Sequence, residues 1–188
     1  HVYQSQNNVD QDFINSLTEV FSGEVNNIYS NYFNHRHVYR KKLFKEILAN
    51  LLLRTIKDNF PEMPIILLFR HPCATVASQL KVIDSKELEE DINTCFSNKC
   101  LIDDHIAFIM PEFERSETLF EKCMFLWCVQ NYVPLKQLNS NEVHLAFYEN
   151  FCDYPEEEVG RLFKFLNKPY KESILENIKI ELRVTSNQ

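Results

Sequence analysis

An arginine and a serine, Arg70 and Ser78, stand eight positions apart directly after a short apolar segment. That segment, residues 64–69 (PIILLF), has the length and composition of a buried β-strand, and a helix-compatible stretch follows from Pro72. Open α/β sheets bind ligands where the carboxyl end of a strand leads into a helix. An arginine there can donate two hydrogen bonds to a phosphate, and a serine two turns along can add a hydroxyl donor. These residues therefore predict an anion site, with phosphate as the expected ligand.

The same pattern resembles the 3′-phosphate-binding signature of sulfotransferases that use 3′-phosphoadenosine-5′-phosphosulfate (PAPS): a strand, then Arg-x-Pro, then a serine eight positions after the arginine. Residues 144–150 (HLAFYEN) are similar to a later strand of that family and its Tyr-Glu motif, and residues 155–166 are similar to the helix that follows. The resemblance implies that Arg70 and Ser78 hold the 3′-phosphate and that Tyr148 lies near the adenosine.

The catalytic residues are the next part of the resemblance. Lys45 and Glu46 lie upstream of the arginine at about the distance at which sulfotransferases carry a lysine on their catalytic strand. The resemblance implies that Lys45 stabilises the charge on the leaving oxygen. Cytosolic members have a histidine two positions later, where this chain has Ile47. Glu46 is therefore one candidate base and His105 another; an ordinary solvated lysine and a solvated glutamate are the alternative interpretation of the first two residues.

Two parts of the family pattern are matched poorly or not at all. Arg183 falls where sulfotransferases have a late contact to the 3′-phosphate, but the Arg-Lys-Gly triplet of the family is absent. The loop that grips the 5′-phosphosulfate is also missing, since the only two glycines, Gly23 and Gly160, stand in no phosphate-cradling loop. We therefore expect a fragment without the first β-loop-α unit, and by itself a poor enzyme; a degenerate relative is the alternative.

Composition excludes several classes of protein. The formal net charge of −7 argues against a general nucleic-acid binder and disfavours a long polyanionic glycan as substrate. No apolar run approaches the roughly 18 residues of a membrane span, and no signal peptide is evident. The six cysteines have no zinc-site spacing, so no metal is expected. We expect a reducing, cytoplasmic environment, with a disulfide between Cys95 and Cys100 as the alternative in an oxidising one.

Hydrophobic periodicity predicts strands that alternate with helices, and hence an α/β fold with a parallel sheet flanked by helices on both faces. The resemblance implies a P-loop-like sulfotransferase core. We expect one domain over residues 1–188, with a peripheral helix and loop at 1–38, the core at 39–167 and a tail at 168–188. The strands are predicted at 64–69 and 142–148, and the main helices at 41–59 (or a short strand at 42–45), 74–82, 118–138 and 156–166.

The function implied by the resemblance is sulfonate transfer from PAPS to a hydroxyl or amine of a small-molecule or glycan acceptor. A second class remains open, a non-catalytic sulfotransferase-like module that binds a nucleotide or a protein partner. A nucleoside kinase of similar architecture is disfavoured because no Walker lysine or magnesium-binding aspartate can be placed.

Overall fold

The computed structural model describes residues 3–5, 10–22 and 43–178. Their helices and strands are α1 (Gln11–Ser22), α2 (Leu53–Asn59), β1 (Ile65–Phe69), α3 (Pro72–Val82), α4 (Ser85–Phe96), α5 (Met110–Glu114), α6 (Leu119–Gln137), β2 (Val143–Phe147), α7 (Tyr148–Asp153) and α8 (Pro155–Phe165). A 3₁₀ turn, Asn50–Leu52, leads into α2. The stretch between α4 and α5 is helical but irregular, with a helical turn at Lys99–Leu101, a π-helix at Ile102–Ile106 and a 3₁₀ turn at Ala107–Ile109.

The sheet of the described residues consists of β1 and β2, which pair in parallel. Ile65 lies opposite Val143 and Phe69 lies opposite Phe147, so the two strands end at the same edge. A parallel pair needs a long crossover connection, which here contains α3 to α6. The described residues are therefore mostly helical with a small two-stranded parallel sheet, which agrees with the parallel pairing expected for an α/β class.

The two faces of the sheet have different surroundings. On one face, the buried side chains of Ile65 and Leu67 pack with apolar residues of α1, α2 and the start of β2. On the other face, His144 and Ala146 of β2 are buried. The β1 residues of that second face, Ile66 and Leu68, are 39% and 56% exposed. One face is thus a core layer, and the other is covered mainly along β2.

A second core, formed around α6, positions the helix that follows β1. It contains Val129 and Val133 of α6, Leu88 of α4 and Val76 of α3, all of them buried. Helix α6 begins with a capping box, in which the amide of Glu121 donates to Thr118 Oγ1 at 3.2 Å and the amide of Thr118 donates to the Glu121 carboxylate at 2.9 Å. Because Val76 is anchored in this core, one side of α3 is turned inward and the other faces solvent.

Arg54 ties α2 to the start of β2 and the end of α6. One of its terminal nitrogens donates to Glu142 Oε1 at 2.9 Å and to the carbonyl of Gln137 at 3.3 Å, and the other pairs with Asp58. The amide of Asn139 also donates to Glu142, at 2.9 Å. The hydrogen bond from the Asn139 amide lowers the pKa of Glu142 most, and the hydrogen bond from Arg54 lowers it further. The carboxylate thus holds the turn from which β2 starts.

The predicted helix at 41–59 is wrong in its first part. Residues 43–49 form neither a helix nor the alternative short strand, and regular helix begins only at Leu53. The apolar stripe that suggested a helix continues through Leu43 and Ile47, but both side chains are exposed. Without a packed surface under those residues, the periodic pattern gains no tertiary stabilisation. Residues 41 and 42 lie outside the described part of the chain.

The cysteines form no disulfide. All six lie among the described residues and all are free thiols, so the alternative pairing of Cys95 with Cys100 is wrong. Cys95 is buried and Cys100 is exposed.

Candidate functional site

The carboxyl edge of the sheet brings the ends of both strands together. β1 ends at Phe69 and β2 at Phe147, and the rings of these two residues stack with their centroids 5.3 Å apart. The chain leaves β1 through Arg70 and enters α3, whereas it leaves β2 directly into α7 at Tyr148. Since the strands are parallel and in register, the residues that follow them become neighbours. We call this region the carboxyl edge.

Arg70 and Tyr148 meet at the carboxyl edge. The guanidinium carbon of Arg70 lies 4.9 Å from the centroid of the Tyr148 ring, which is the geometry of a cation–π contact. Arg70 is exposed, and among the described residues it pairs with no carboxylate. The guanidinium therefore lies beside the ring, and its N–H groups can still donate hydrogen bonds to an anionic ligand. The structure thus brings together two of the residues that sequence reasoning selected.

The start of α3 also lies at the carboxyl edge, next to Arg70 in the chain. Its N-cap residue, His71, makes no side-chain cap, and Pro72 opens the helix. The first amides of a helix lack partners within the helix, and the helix dipole makes that end partly positive. The amide of His71 donates to Glu149 Oε1 at 2.9 Å, which links the two strand ends. The carboxyl edge therefore combines a guanidinium, a helix N-terminus and one carboxylate.

Glu149 is the contact at this edge that sequence reasoning did not find. Its partner, the backbone amide of His71, lies 78 positions away in the sequence. No local pattern signals such a pairing, because it exists only once β1 and β2 lie side by side.

Ser78 lies further along α3 than the edge itself. It is six positions after Pro72, the first residue of the helix, which corresponds to about 9 Å along the axis. Its side chain is exposed, two positions beyond the buried Val76. No hydrogen bond among the described residues joins Ser78 to Arg70. The serine hydroxyl is therefore accessible to a ligand.

The proposed catalytic pair occupies the irregular segment before α2. Lys45 and Glu46 are both exposed, and within residues 43–178 neither forms an ion pair with the carboxyl edge. The resemblance implied that Lys45 lies on a strand, but in the structure it lies in an irregular segment. Arg183, the last of the predicted nucleotide contacts, lies outside the described residues.

His105, the other candidate base, belongs to a hydrogen-bonded cluster in the helical core. Its Nε2 lies 3.0 Å from Nε2 of Gln137, so the neutral imidazole accepts a hydrogen bond from that amide. The hydroxyl of Tyr3 donates to Asp104 at 2.8 Å, and the Tyr3 ring meets the imidazole edge-on at 5.6 Å between centroids. Burial lowers the pKa of His105. The residue sits in the π-helix and joins it to α6.

Residues 3–5, 10–22 and 43–178 contain no group of three or more His, Cys, Asp or Glu side chains placed to hold a metal ion. Among those residues, no helix has both the length and the apolar character needed to cross a membrane.

Comparison with known proteins gives no relative. No protein-family model, no curated protein and no solved structure matches this chain.

Proposed function

We propose that this protein binds a 3′-phosphoadenosine nucleotide at the carboxyl edge and that it serves sulfonate transfer from PAPS. The observation that supports this best is the stacking of Arg70 on Tyr148 beside the start of α3. A guanidinium in this position offers paired donors to a phosphate, and the aromatic ring next to it offers a face to a nucleobase. The two groups match the two ends of a nucleoside phosphate.

The 3′-phosphate is the group that Arg70 recognises in this proposal. The guanidinium donates two hydrogen bonds to the phosphate, the first turn of α3 adds the favourable end of its dipole, and Ser78 adds a hydroxyl. Tyr148 contacts the nucleoside. The Glu149 carboxylate keeps its negative charge, but its Oε1 accepts a hydrogen bond from the His71 amide and forms no ion pair with Arg70 among the described residues. It therefore holds the loop in place and leaves the guanidinium to the ligand.

The transfer itself is an in-line displacement. A base takes the proton of the acceptor hydroxyl or amine, the freed oxygen or nitrogen attacks sulfur, and the bond between sulfur and the bridging phosphate oxygen breaks. The electron pair of that bond leaves with 3′-phosphoadenosine 5′-phosphate. Lys45 stabilises the charge on the leaving oxygen, and Glu46 is the proposed base. For both roles, the segment that carries them has to approach the bound nucleotide.

A non-catalytic nucleotide-binding module is the second candidate function. It is favoured by the positions of Lys45 and Glu46, which lie exposed on an irregular segment and make no ion pair with the carboxyl edge among the described residues. Such a module would bind the nucleotide through Arg70 and Tyr148 without transferring its sulfonate.

Calorimetric titration of the full chain with 3′-phosphoadenosine 5′-phosphate and with 5′-AMP tests the binding site. We expect the bisphosphate to bind at least about tenfold more tightly, since charge-assisted hydrogen bonds contribute roughly 1.5–3 kcal/mol. Arg70→Gln should remove that preference. Arg115→Gln is the control, because Arg115 is an exposed arginine that contacts Glu112 and the carbonyl of Pro111, both close to it in the sequence. Equal binding of both nucleotides by the folded wild-type protein would overturn the proposal.

Release of 3′-phosphoadenosine 5′-phosphate from PAPS in the presence of a phenol separates the two candidates. Turnover that Lys45→Ala abolishes, with nucleotide binding retained, would establish the transferase. Tight binding of the nucleotide without turnover would favour the module.

A further inference from the structure

A shallow pocket, wide open to solvent, lies between β2 and α8, away from the carboxyl edge. It is lined by His144, Arg161, Lys164 and Phe165 and has a volume of about 440 Å³. Ligand pockets in proteins typically range from about 300 to 1,000 Å³. None of the residues that form the carboxyl edge lines it, so it is a separate candidate site.

Helical spacing gathers the lining residues of α8. Residues three or four apart share one face of a helix, which places Arg161, Lys164 and Phe165 together. The ring of Phe165 lies 5.3 Å from the imidazole of His144, centroid to centroid, at an angle of 31°. The imidazole projects from the sheet face that α8 covers. The pocket thus has an aromatic wall, formed by the two rings, next to two basic side chains.

Two buried polar groups at this pocket lack a hydrogen-bond partner. His144 is 8% exposed, and its Nε2 is buried without a partner among the described residues. Glu158, one helical turn before Arg161, is 4% exposed; its Oε1 accepts from the guanidinium at 2.5 Å, but its Oε2 is buried and unpaired within the same part of the chain. Native proteins rarely leave such groups unsatisfied, and each instance calls for an explanation.

The charges around the pocket leave one positive charge uncompensated. Glu158 neutralises Arg161, whereas Lys164 pairs with no carboxylate among the described residues. Burial, followed by the charge of Arg161, lowers the pKa of His144 even though Glu158 acts in the opposite direction, so the imidazole is neutral at neutral pH. A ligand with a single negative charge is therefore the electrostatic match.

We propose that this pocket binds a small organic carboxylate with a flat apolar body. The carboxylate lies between the ammonium of Lys164 and the free edge of the Arg161 guanidinium, whose planar donors match carboxylate geometry. The apolar body packs against Phe165 and the imidazole. This proposal does not depend on the nucleotide site.

Nuclear magnetic resonance titration of the full chain with benzoate tests the proposal. We expect saturable shifts of the His144 imidazole and of the α8 amides, with half-saturation at about 1 mM or below, as for a small fragment in a specific pocket. Benzamide, which has the same shape without the charge, should bind at least about tenfold more weakly. Inorganic phosphate should leave the His144 signals unchanged.

Two lysine variants provide the matched control. Lys164→Gln should weaken benzoate binding about three- to fivefold, whereas Lys168→Gln, which removes the same charge from an exposed residue outside the pocket, should change it less than about twofold. Both lysines are exposed, so neither substitution removes a buried group. The absence of saturable shifts in the folded wild type, equal binding of benzamide and benzoate, tighter binding of phosphate, or equal effects of the two variants would each overturn the proposal.

Discussion

At the scale of single residues, the buried imidazole of His144 and the half-buried imidazole of His105 couple the stability of this protein to pH. Burial lowers the pKa of His105 and of His144, in the second case with help from Arg161. In the unfolded chain a histidine titrates near about 6.5. Between that value and the lower folded pKa, the unfolded state binds more protons than the folded state. Protonation therefore favours unfolding in this window.

We expect the free energy of unfolding to be highest above about pH 6.5, to fall as the pH drops below that value, and to level off below the folded pKa of the histidines. His144→Gln should reduce this slope without abolishing it, because His105 still contributes. Urea unfolding at pH values between about 5 and 7.5 measures the slope. The exposed His71 provides the control, through His71→Gln. An unchanged slope in His144→Gln would contradict the assignment.

Tyr148 supplies the other prediction at this scale. Its ring supports the Arg70 guanidinium, a contact worth roughly 0.5–1 kcal/mol at an exposed site. Tyr148→Leu removes the ring, and should weaken binding of 3′-phosphoadenosine 5′-phosphate by about threefold or more. Tyr148→Phe keeps the ring and should weaken it less. Calorimetric titration compares the two variants. An equal loss in both would show that the hydroxyl, and not the ring face, carries the effect.

At the scale of elements, α3 is the helix on which the proposed nucleotide site depends. Its buried residue Val76 packs into the core around α6, and its exposed residue Ser78 faces solvent two positions later. The orientation of the helix, and so the accessibility of the serine, follows from which side is buried. The sequence predicted the helix, but the spacing of apolar residues within α3 is too sparse to define its inner face.

This orientation predicts opposite outcomes for two neighbouring substitutions. Val76→Ala should lower the free energy of unfolding by about 2 kcal/mol, because it leaves a cavity in the core. Ser78→Ala should change it by less than about 0.5 kcal/mol, as expected for an exposed position, but should weaken nucleotide binding. Urea unfolding and calorimetric titration of the same samples make the comparison. A large loss of stability in Ser78→Ala would mean that the helix is turned the other way.

At the scale of the whole molecule, the sheet separates a packed layer from a partly open one. Leu67 is buried on the face that contacts α1 and α2, whereas Leu68, its neighbour in β1, is largely exposed. Parallel strands are generally buried on both faces, and their sequences are therefore apolar at almost every position. The sequence of β1 has this continuous apolar character. The open face of β1 is therefore apolar without being part of a core among the described residues.

We expect Leu67→Ala to lower the free energy of unfolding by about 3 kcal/mol and Leu68→Ala by less than about 1 kcal/mol. The two variants remove the same atoms from adjacent positions. The difference between their losses in free energy of unfolding therefore measures how well each face of the sheet is packed. Equal losses in urea unfolding would show that the second face is covered in solution as well as the first.

The sequence by itself determined where most of the elements lie. The run at 64–69 and the pattern at 142–148 predicted strands that the structure has at Ile65–Phe69 and Val143–Phe147, and the helix predicted at 156–166 appears as Pro155–Phe165. These signals are local, because strand and helix periodicity are properties of neighbouring residues. The same reasoning failed at 43–49, where Leu43 and Ile47 of the apolar stripe are exposed and no helix forms.

Only the tertiary structure decided which side chains meet. The contact of Arg70 with Tyr148 and the hydrogen bond from His71 to Glu149 join segments that lie far apart in the sequence. The pocket between His144 and Arg161 depends on how α8 lies on the sheet, which no motif in either segment encodes. Such contacts are set by the pairing of strands and the packing of helices, and these depend on the fit between surfaces of distant segments. The sequence therefore supplied the candidate residues, and the fold determined which of them form a site.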